Sequence, residues 1–233
     1  MKTKTCTFLI IASILLVAVS CKKSADPVTP PIVFSGVYQA SNTIDLSDVF
    51  MYTMNGAVTN QDFIKAYLKR HDVYEDSHFA FTAAITRDNS DSQINFADSG
   101  RVKLSKGLDR SYPATDYTIT QRTTNGFILE AINASIYGQN NNGGRASTLM
   151  NDAGNLQKLM NSTHKVAYQF IIKDGQPYLC LFSCIINTNF NNTAFSSSYI
   201  WNYSGSFNRE LLKELVAGDT IVYQSKTVLF KKN

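Results

Sequence analysis

From residue 34 onward, apolar and polar positions alternate in short runs broken by turn residues, and this period of two predicts β-strands. The runs fall at 34–40, 47–54, 78–87, 92–97, 100–105, 115–124, 127–133, 164–173, 176–187, 196–204, 219–224 and 226–231. Asn125-Gly126 and Asp174-Gly175 have the residue types of a two-residue type I′ hairpin turn, in which both central positions take positive φ. The second turn sets Ile171 against Tyr178, Gln169 against Cys180 and Ala167 against Phe182. Both faces of that hairpin are largely apolar. A central position is therefore expected, with a core on one side and a helix or second sheet on the other.

Helical periodicity is confined to three segments. Thr59-Asn-Gln-Asp62 resembles a capping box with Asp in place of Glu, and Val58 is placed to staple onto Phe63. Phe63, Ile64, Tyr67 and Leu68 then form one apolar stripe in a helix ending near His71. A second helix is expected over 208–217, starting at Asn208, burying Leu211, Leu212, Leu215 and Val216, and ending at Gly218. A third is expected around 147–161, with Leu149, Ala153, Leu156 and Met160 on one side, although Gly154 inside it costs about 1 kcal/mol relative to Ala.

Many antiparallel strands with few helices predict a mainly β (α+β) fold, a barrel or sandwich of about 8–12 strands carrying two or three short helices. No internal repeat or second linker interrupts 34–233, so these residues are expected to form a single β-rich domain. Gly36-Val37-Tyr38, at the start of the first strand, resembles the Gly-x-Trp that opens lipocalin-type barrels, with Tyr in place of Trp. This lipocalin-like resemblance covers three residues, and it implies a closed or nearly closed barrel.

The first residues have a different pattern. Lys2 and Lys4 precede about 15 apolar residues, fewer than the roughly 20 a helix needs to span a bilayer, so 1–20 reads as an export signal peptide. Ala18-Val19-Ser20-Cys21 resembles a bacterial lipobox. The resemblance implies cleavage before Cys21 and its conversion to a lipoprotein cysteine bearing a diacylglycerol thioether and an acylated amine. Several acyl chains of the palmitate kind hold a protein firmly on a membrane, where one chain holds it only marginally. Cys21-Lys22-Lys23-Ser24 resembles the mature start of cell-envelope lipoproteins of the Bacteroidota. That likeness implies the outer membrane, facing either the periplasm or the exterior. Pro27, Pro30 and Pro31, three of the chain's five prolines, make 21–33 a tether rather than part of a core.

Composition narrows the function. The 233 residues are 44% hydrophobic and 17% charged, with a formal net charge of +4. Without Lys2 and Lys4, 20 bases face 18 acids. That balance excludes an electrostatic nucleic-acid binder, which needs clustered cations. Of four cysteines, Cys6 leaves with the signal and Cys21 is taken by lipid. Cys180 and Cys184 lie about 13 Å apart along one strand, too far for a disulfide that needs Cα atoms within about 7 Å. They read as buried thiols.

No nucleophile elbow, P-loop, dinucleotide fingerprint, zinc-protease helix or EF-hand loop occurs, and no cofactor is implied. His71-Asp-Val-Tyr-Glu-Asp-Ser-His78 offers two imidazoles and carboxylates, but its spacing fixes no metal geometry. Most acids sit in turns. Glu130 is the exception, inside Phe127-Ile-Leu-Glu-Ala-Ile132 and opposite Gln121 in the Asn125-Gly126 register. A buried carboxylate there would suit a general acid. The sharpest cluster is aromatic: in Ser196-Ser-Ser-Tyr-Ile-Trp-Asn-Tyr-Ser204, Tyr199, Trp201 and Tyr203 share a face by the period of two. Such amphipathic rings form a core stripe or a ligand platform. Asp219-Thr220-Ile221 resembles the O-glycosylation motif of Bacteroidota and equally fits a turn leading into a strand.

The expected function is non-catalytic binding of a small apolar ligand or glycan by a lipid-anchored envelope protein. Two alternatives stand beside it. One is an envelope hydrolase using Glu130 or His164, its site assembled from distant residues. The other is a structural or accessory subunit of an envelope complex.

Overall fold

The computed structural model describes residues 32–71, 78–97, 101–105, 115–132, 135–136, 144–156, 163–164, 166–190 and 194–233. Among them are fourteen strands: β1 (Gly36–Leu46), β2 (Phe50–Thr53), β3 (Gly56–Val58), β4 (Ala84–Thr86), β5 (Gln93–Phe96), β6 (Arg101–Leu104), β7 (Thr115–Arg122), β8 (Gly126–Ala131), β9 (Ser135–Ile136), β10 (Thr163–His164), β11 (Ala167–Lys173), β12 (Gln176–Phe190), β13 (Ala194–Ser204) and β14 (Thr220–Lys232). Two α-helices, α1 (Gln61–Arg70) and α2 (Arg145–Asn151), and a 3₁₀ helix at Arg209–Glu214 complete them.

Eight strands close on themselves in the order β1-β5-β6-β7-β8-β11-β12-β14, with β14 returning to β1. Every pairing is antiparallel, and each barrel strand lies beside the barrel strand that precedes it in the chain. This is an up-and-down barrel, an arrangement that removes free edges. β12 and β14 run 15 and 13 residues and outgrow it. Beyond the barrel they pair with each other, with β13 on one side and β2–β3 on the other. The segments 219–224 and 226–231, expected as two strands, are thus one.

Period-two alternation fills the barrel. Tyr38, Ile94, Phe96, Val102, Tyr117, Phe127, Leu129, Tyr168, Phe170, Leu179, Leu181, Val228 and Phe230 point inward and are buried in one cluster. Aromatic rings dominate it: Phe127 stacks on Phe170 at 4.8 Å, Phe170 meets Phe230 edge-on at 5.7 Å, and Tyr117 meets Tyr168 at 5.6 Å. Phe34, just ahead of β1, packs against Tyr38, Phe96 and Phe127. In the extension the two sheet faces are covered separately. Ile185, Val222 and Met51 pack under Ile64 and Leu68 of α1. Phe182, Cys184, Ile186, Ile221 and Tyr223 pack under α2 and the 3₁₀ helix. The hairpin strand β12 is accordingly covered on both faces, as its composition predicted.

The turns depart from expectation in one case. Asp174 and Gly175 have φ of 50° and 73°, and Ile171 pairs with Tyr178, as a two-residue turn requires. The β11–β12 ladder nevertheless stops at Phe170–Leu179. Gln169 N donates instead to Ser204 Oγ at 3.3 Å, so the expected pairs to Cys180 and Phe182 do not form. At Asn125-Gly126 the loop is wider: Arg122 pairs with Phe127, and a bulge lies between Ile119 and Gln121. Glu130 consequently faces Thr118 rather than Gln121. Gly126 is required by close approach, since a Cβ there would lie 2.3 Å from the Phe170 carbonyl oxygen.

The helices also shift. Asn60, not Thr59, caps α1, accepting from Phe63 N at 3.0 Å. Phe63, expected on the apolar stripe, is exposed. Asn208 caps the 3₁₀ helix as expected, with Leu211 and Leu215 buried, Leu212 half-buried and Val216 exposed. α2 is shorter than the segment 147–161: it ends at Asn151, and Gly154 bridges to Phe207 instead. Met160 lies outside the described residues.

Candidate aromatic site on the open sheet

β13 carries the candidate platform, and a β-bulge shapes it. Phe182 pairs with Tyr203 and Cys184 with Ile200, so Trp201 and Asn202 together oppose Ser183. Asn202 takes a φ of 49°, a left-handed conformation that Asn tolerates better than most residues. The extra residue reverses the side-chain phase. Tyr199 and Trp201 remain on the α1 side, but Tyr203 turns to the other face and meets Phe182 edge-on at 5.9 Å. The expectation that all three rings share one face is corrected to two.

His78 supplies the third layer in place of Tyr203. Its imidazole stacks on Trp201 at 4.0 Å and 7°, and Tyr199 stacks on the same indole at 5.1 Å and 23°. Phe79 braces the indole edge-on at 5.9 Å. Trp201 is half-buried, whereas Tyr199 is 60% exposed and ends the stack in solvent. Beside it runs a polar chain. Ser197 Oγ donates to Asn187 Oδ1 at 2.7 Å, and Asn187 Nδ2 donates to the Tyr67 hydroxyl at 2.6 Å. Tyr67 in turn packs against the His71 ring at 4.5 Å. An open aromatic face flanked by hydroxyl and amide groups suits a ligand with one apolar face and polar edges.

Bonded to the bulge is a buried amine, Lys226, the first residue of the expected strand 226–231. Lys226 is 2% exposed, and its Nζ donates to Asn202 Oδ1 at 2.6 Å. Burial pushes its amine down to about 7, and the Arg87 guanidinium adds to the effect. The unfolded amine holds its proton up to 10.5, so between about 7 and 10.5 the unfolded chain binds more protons and stability rises with pH. Lys226→Met should remove that slope. Relative to wild type, the variant should lose a pH 6-to-9 gain of roughly 2–3 kcal/mol in urea unfolding. An equal slope in both proteins would refute the assignment.

The other candidates are placed elsewhere. Glu130 lies between the inward-facing Leu129 and Ala131, so it points to the outer barrel wall and not into the core. His71 packs on Tyr67 and His78 on Trp201, and no group of three or more metal-binding side chains occurs among the described residues. The side chain of His164 lies outside them. Cys180 and Cys184 are free and buried, with burial pushing the Cys180 thiol up to about 11 and Cys184 up as well. Asp219 is held by Arg145 at 2.8 Å and by Val216 N at 3.1 Å, at the turn leading into β14.

Two open clefts lie on the outer barrel wall. One of about 430 Å³ is lined by Gln93, Asn95, Lys103, Ser105 and Asp116, and the other, about 270 Å³, by Gln121, Ile128, Gln169 and Ile171 among others. No helix among the described residues is long and apolar enough to cross a membrane.

Comparison with protein-family models, with curated proteins and with solved structures finds no match for this chain.

Proposed function

We propose that this chain is a lipid-anchored protein of the bacterial cell envelope that binds a glycan, without catalysis, on the exposed ring of Tyr199. The carrying observation is the three-layer stack His78–Trp201–Tyr199, whose outer ring is open and flanked by the Ser197–Asn187–Tyr67 chain. Sugar rings present an apolar C–H face and hydroxyl edges, which is the complement of such a surface. The aromatic filling of the barrel favours a surface ligand over an enclosed apolar cargo. The up-and-down order of the eight barrel strands is the feature this chain would share with lipocalin-type barrels, as an architecture without their hollow interior. The anchor reading rests on Ala18-Val19-Ser20-Cys21 and the proline-rich tether.

An array of plant, host and bacterial polysaccharides tests the ligand. Binding to at least one is expected, and Tyr199→Ala should weaken it about tenfold, the equivalent of roughly 1.4 kcal/mol of stacking. Undiminished binding in that variant would place the ligand elsewhere. For the anchor, Cys21→Ser should abolish acyl labelling and membrane partition. Labelling that persists would overturn the lipoprotein assignment.

A further inference from the structure

We infer that Lys226 is a positioning residue for the aromatic platform: through Asn202 it holds the bulge that aims Trp201 at His78, so the platform follows the protonation of one buried amine. The connection is short and continuous. Lys226 Nζ bonds Asn202 Oδ1 at 2.6 Å, and Asn202 is the left-handed residue of the bulge. Asn202 N also donates to Ser183 Oγ at 3.3 Å, the single residue the bulge opposes. The next residue back is Trp201, 4.0 Å from the imidazole of His78.

The described neighbours of the amine along the sheet are mainly apolar. On the neighbouring strands Leu46 and Leu181 stand opposite Lys226. Along its own strand, Gln224 bonds Ala80 and the Ser47 carbonyl, and Val228 belongs to the barrel core. Burial lowers its titration most, and Arg87, of like sign, adds to the lowering. A protonated amine makes a charge-assisted bond to Asn202, roughly twice as strong as that of the neutral amine. Because burial brings the amine's titration to about 7, this change in bond strength falls at neutral pH. His78 lies in the stack itself and meets the indole directly, so the two origins must be separated.

Trp201 is the single tryptophan of the chain, so its emission reports the platform without any ligand. In the full chain purified in detergent, Trp201 fluorescence should show a transition with a midpoint near pH 7. The transition should persist in His78→Gln and vanish in Lys226→Met. Asn202→Gly keeps the positive φ, removes the acceptor, and should reduce the amplitude by more than half. It also guards against misfolding as the explanation for Lys226→Met, provided its far-UV spectrum is unchanged. Absence of the transition in the wild type, its loss in His78→Gln, or full amplitude in Asn202→Gly would each overturn the coupling. The functional meaning rests on the glycan reading, but this readout does not. A flat emission profile removes the coupling alone, and failure of the polysaccharide array removes the ligand alone.

Discussion

Phe170→Ala is expected to destabilise the protein by about 3–5 kcal/mol, the range for removing a large aromatic side chain from a close-packed core. Phe170 is 1% exposed, lies flat on Phe127 at 4.8 Å and edge-on to Phe230 at 5.7 Å. Its neighbours come from β8 and β14, strands that lie on either side of β11 in the chain and far from each other in sequence. A barrel held by ladder hydrogen bonds cannot collapse around the hole, so most of the cavity should persist. In a domain of this size the loss corresponds to a fall in melting temperature of roughly 6–20 °C. Equilibrium urea unfolding measures it directly. A loss below about 1 kcal/mol would mean that the barrel interior is not the packed core. Tyr199→Ala is the natural contrast, because a solvent-facing ring should change stability by only about 0.5 kcal/mol.

The second large effect is electrostatic. Arg145→Met should cost about 3–5 kcal/mol, because it leaves a buried carboxylate unpaired. The Asp219 side chain is 1% exposed, and both Arg145 contacts, from Nε at 3.0 Å and Nη2 at 2.8 Å, converge on its Oδ2. Arg145 Nη2 also donates to the Glu214 carbonyl at 2.7 Å. One guanidinium thus joins the start of α2, the end of the 3₁₀ helix and the turn leading into β14. Adding Asp219→Asn to Arg145→Met should restore part of the loss, since the amide keeps an acceptor for Val216 N without the buried charge. A double-mutant cycle on urea unfolding checks this, and strict additivity of the two losses would refute the pairing.

Much of the local structure was legible because it depends on neighbours in sequence. The Asp174-Gly175 turn follows from residues that accept positive φ, and the Asn208 cap from a side chain that reaches the next N–H groups. Register beyond the turn was not legible. Whether Asn125-Gly126 makes a tight turn or a wider loop depends on how closely the β11 backbone crosses Gly126, a contact 44 residues away in the chain. The error moved the partner of Glu130 from Gln121 to Thr118. The aromatic site shows the same division. Tyr199 and Trp201 stand out in the sequence, but the bulge at Asn202 removes Tyr203 and brings in His78 from a distant segment. Lys226 opens the expected strand 226–231, and nothing in its local pattern marks it as buried, since a lysine ordinarily faces solvent. Only its bond to Asn202 and the neighbouring strands show that it is inside.

The sequence by itself determined a mainly β chain with short helices, the alternation that packs a core, and the cysteine and proline signals at its start. These are properties of local period and local chemistry, and side-chain direction in a strand repeats every two residues wherever the strand lies. Tertiary structure alone decided that the sheet closes, that the closed interior is filled by rings, and which rings remain for a ligand. Closure depends on β14 meeting β1, a pairing between the two ends of the domain. Strand pairing is carried by backbone groups common to every residue, so no side-chain pattern specifies such a partner until the whole barrel forms.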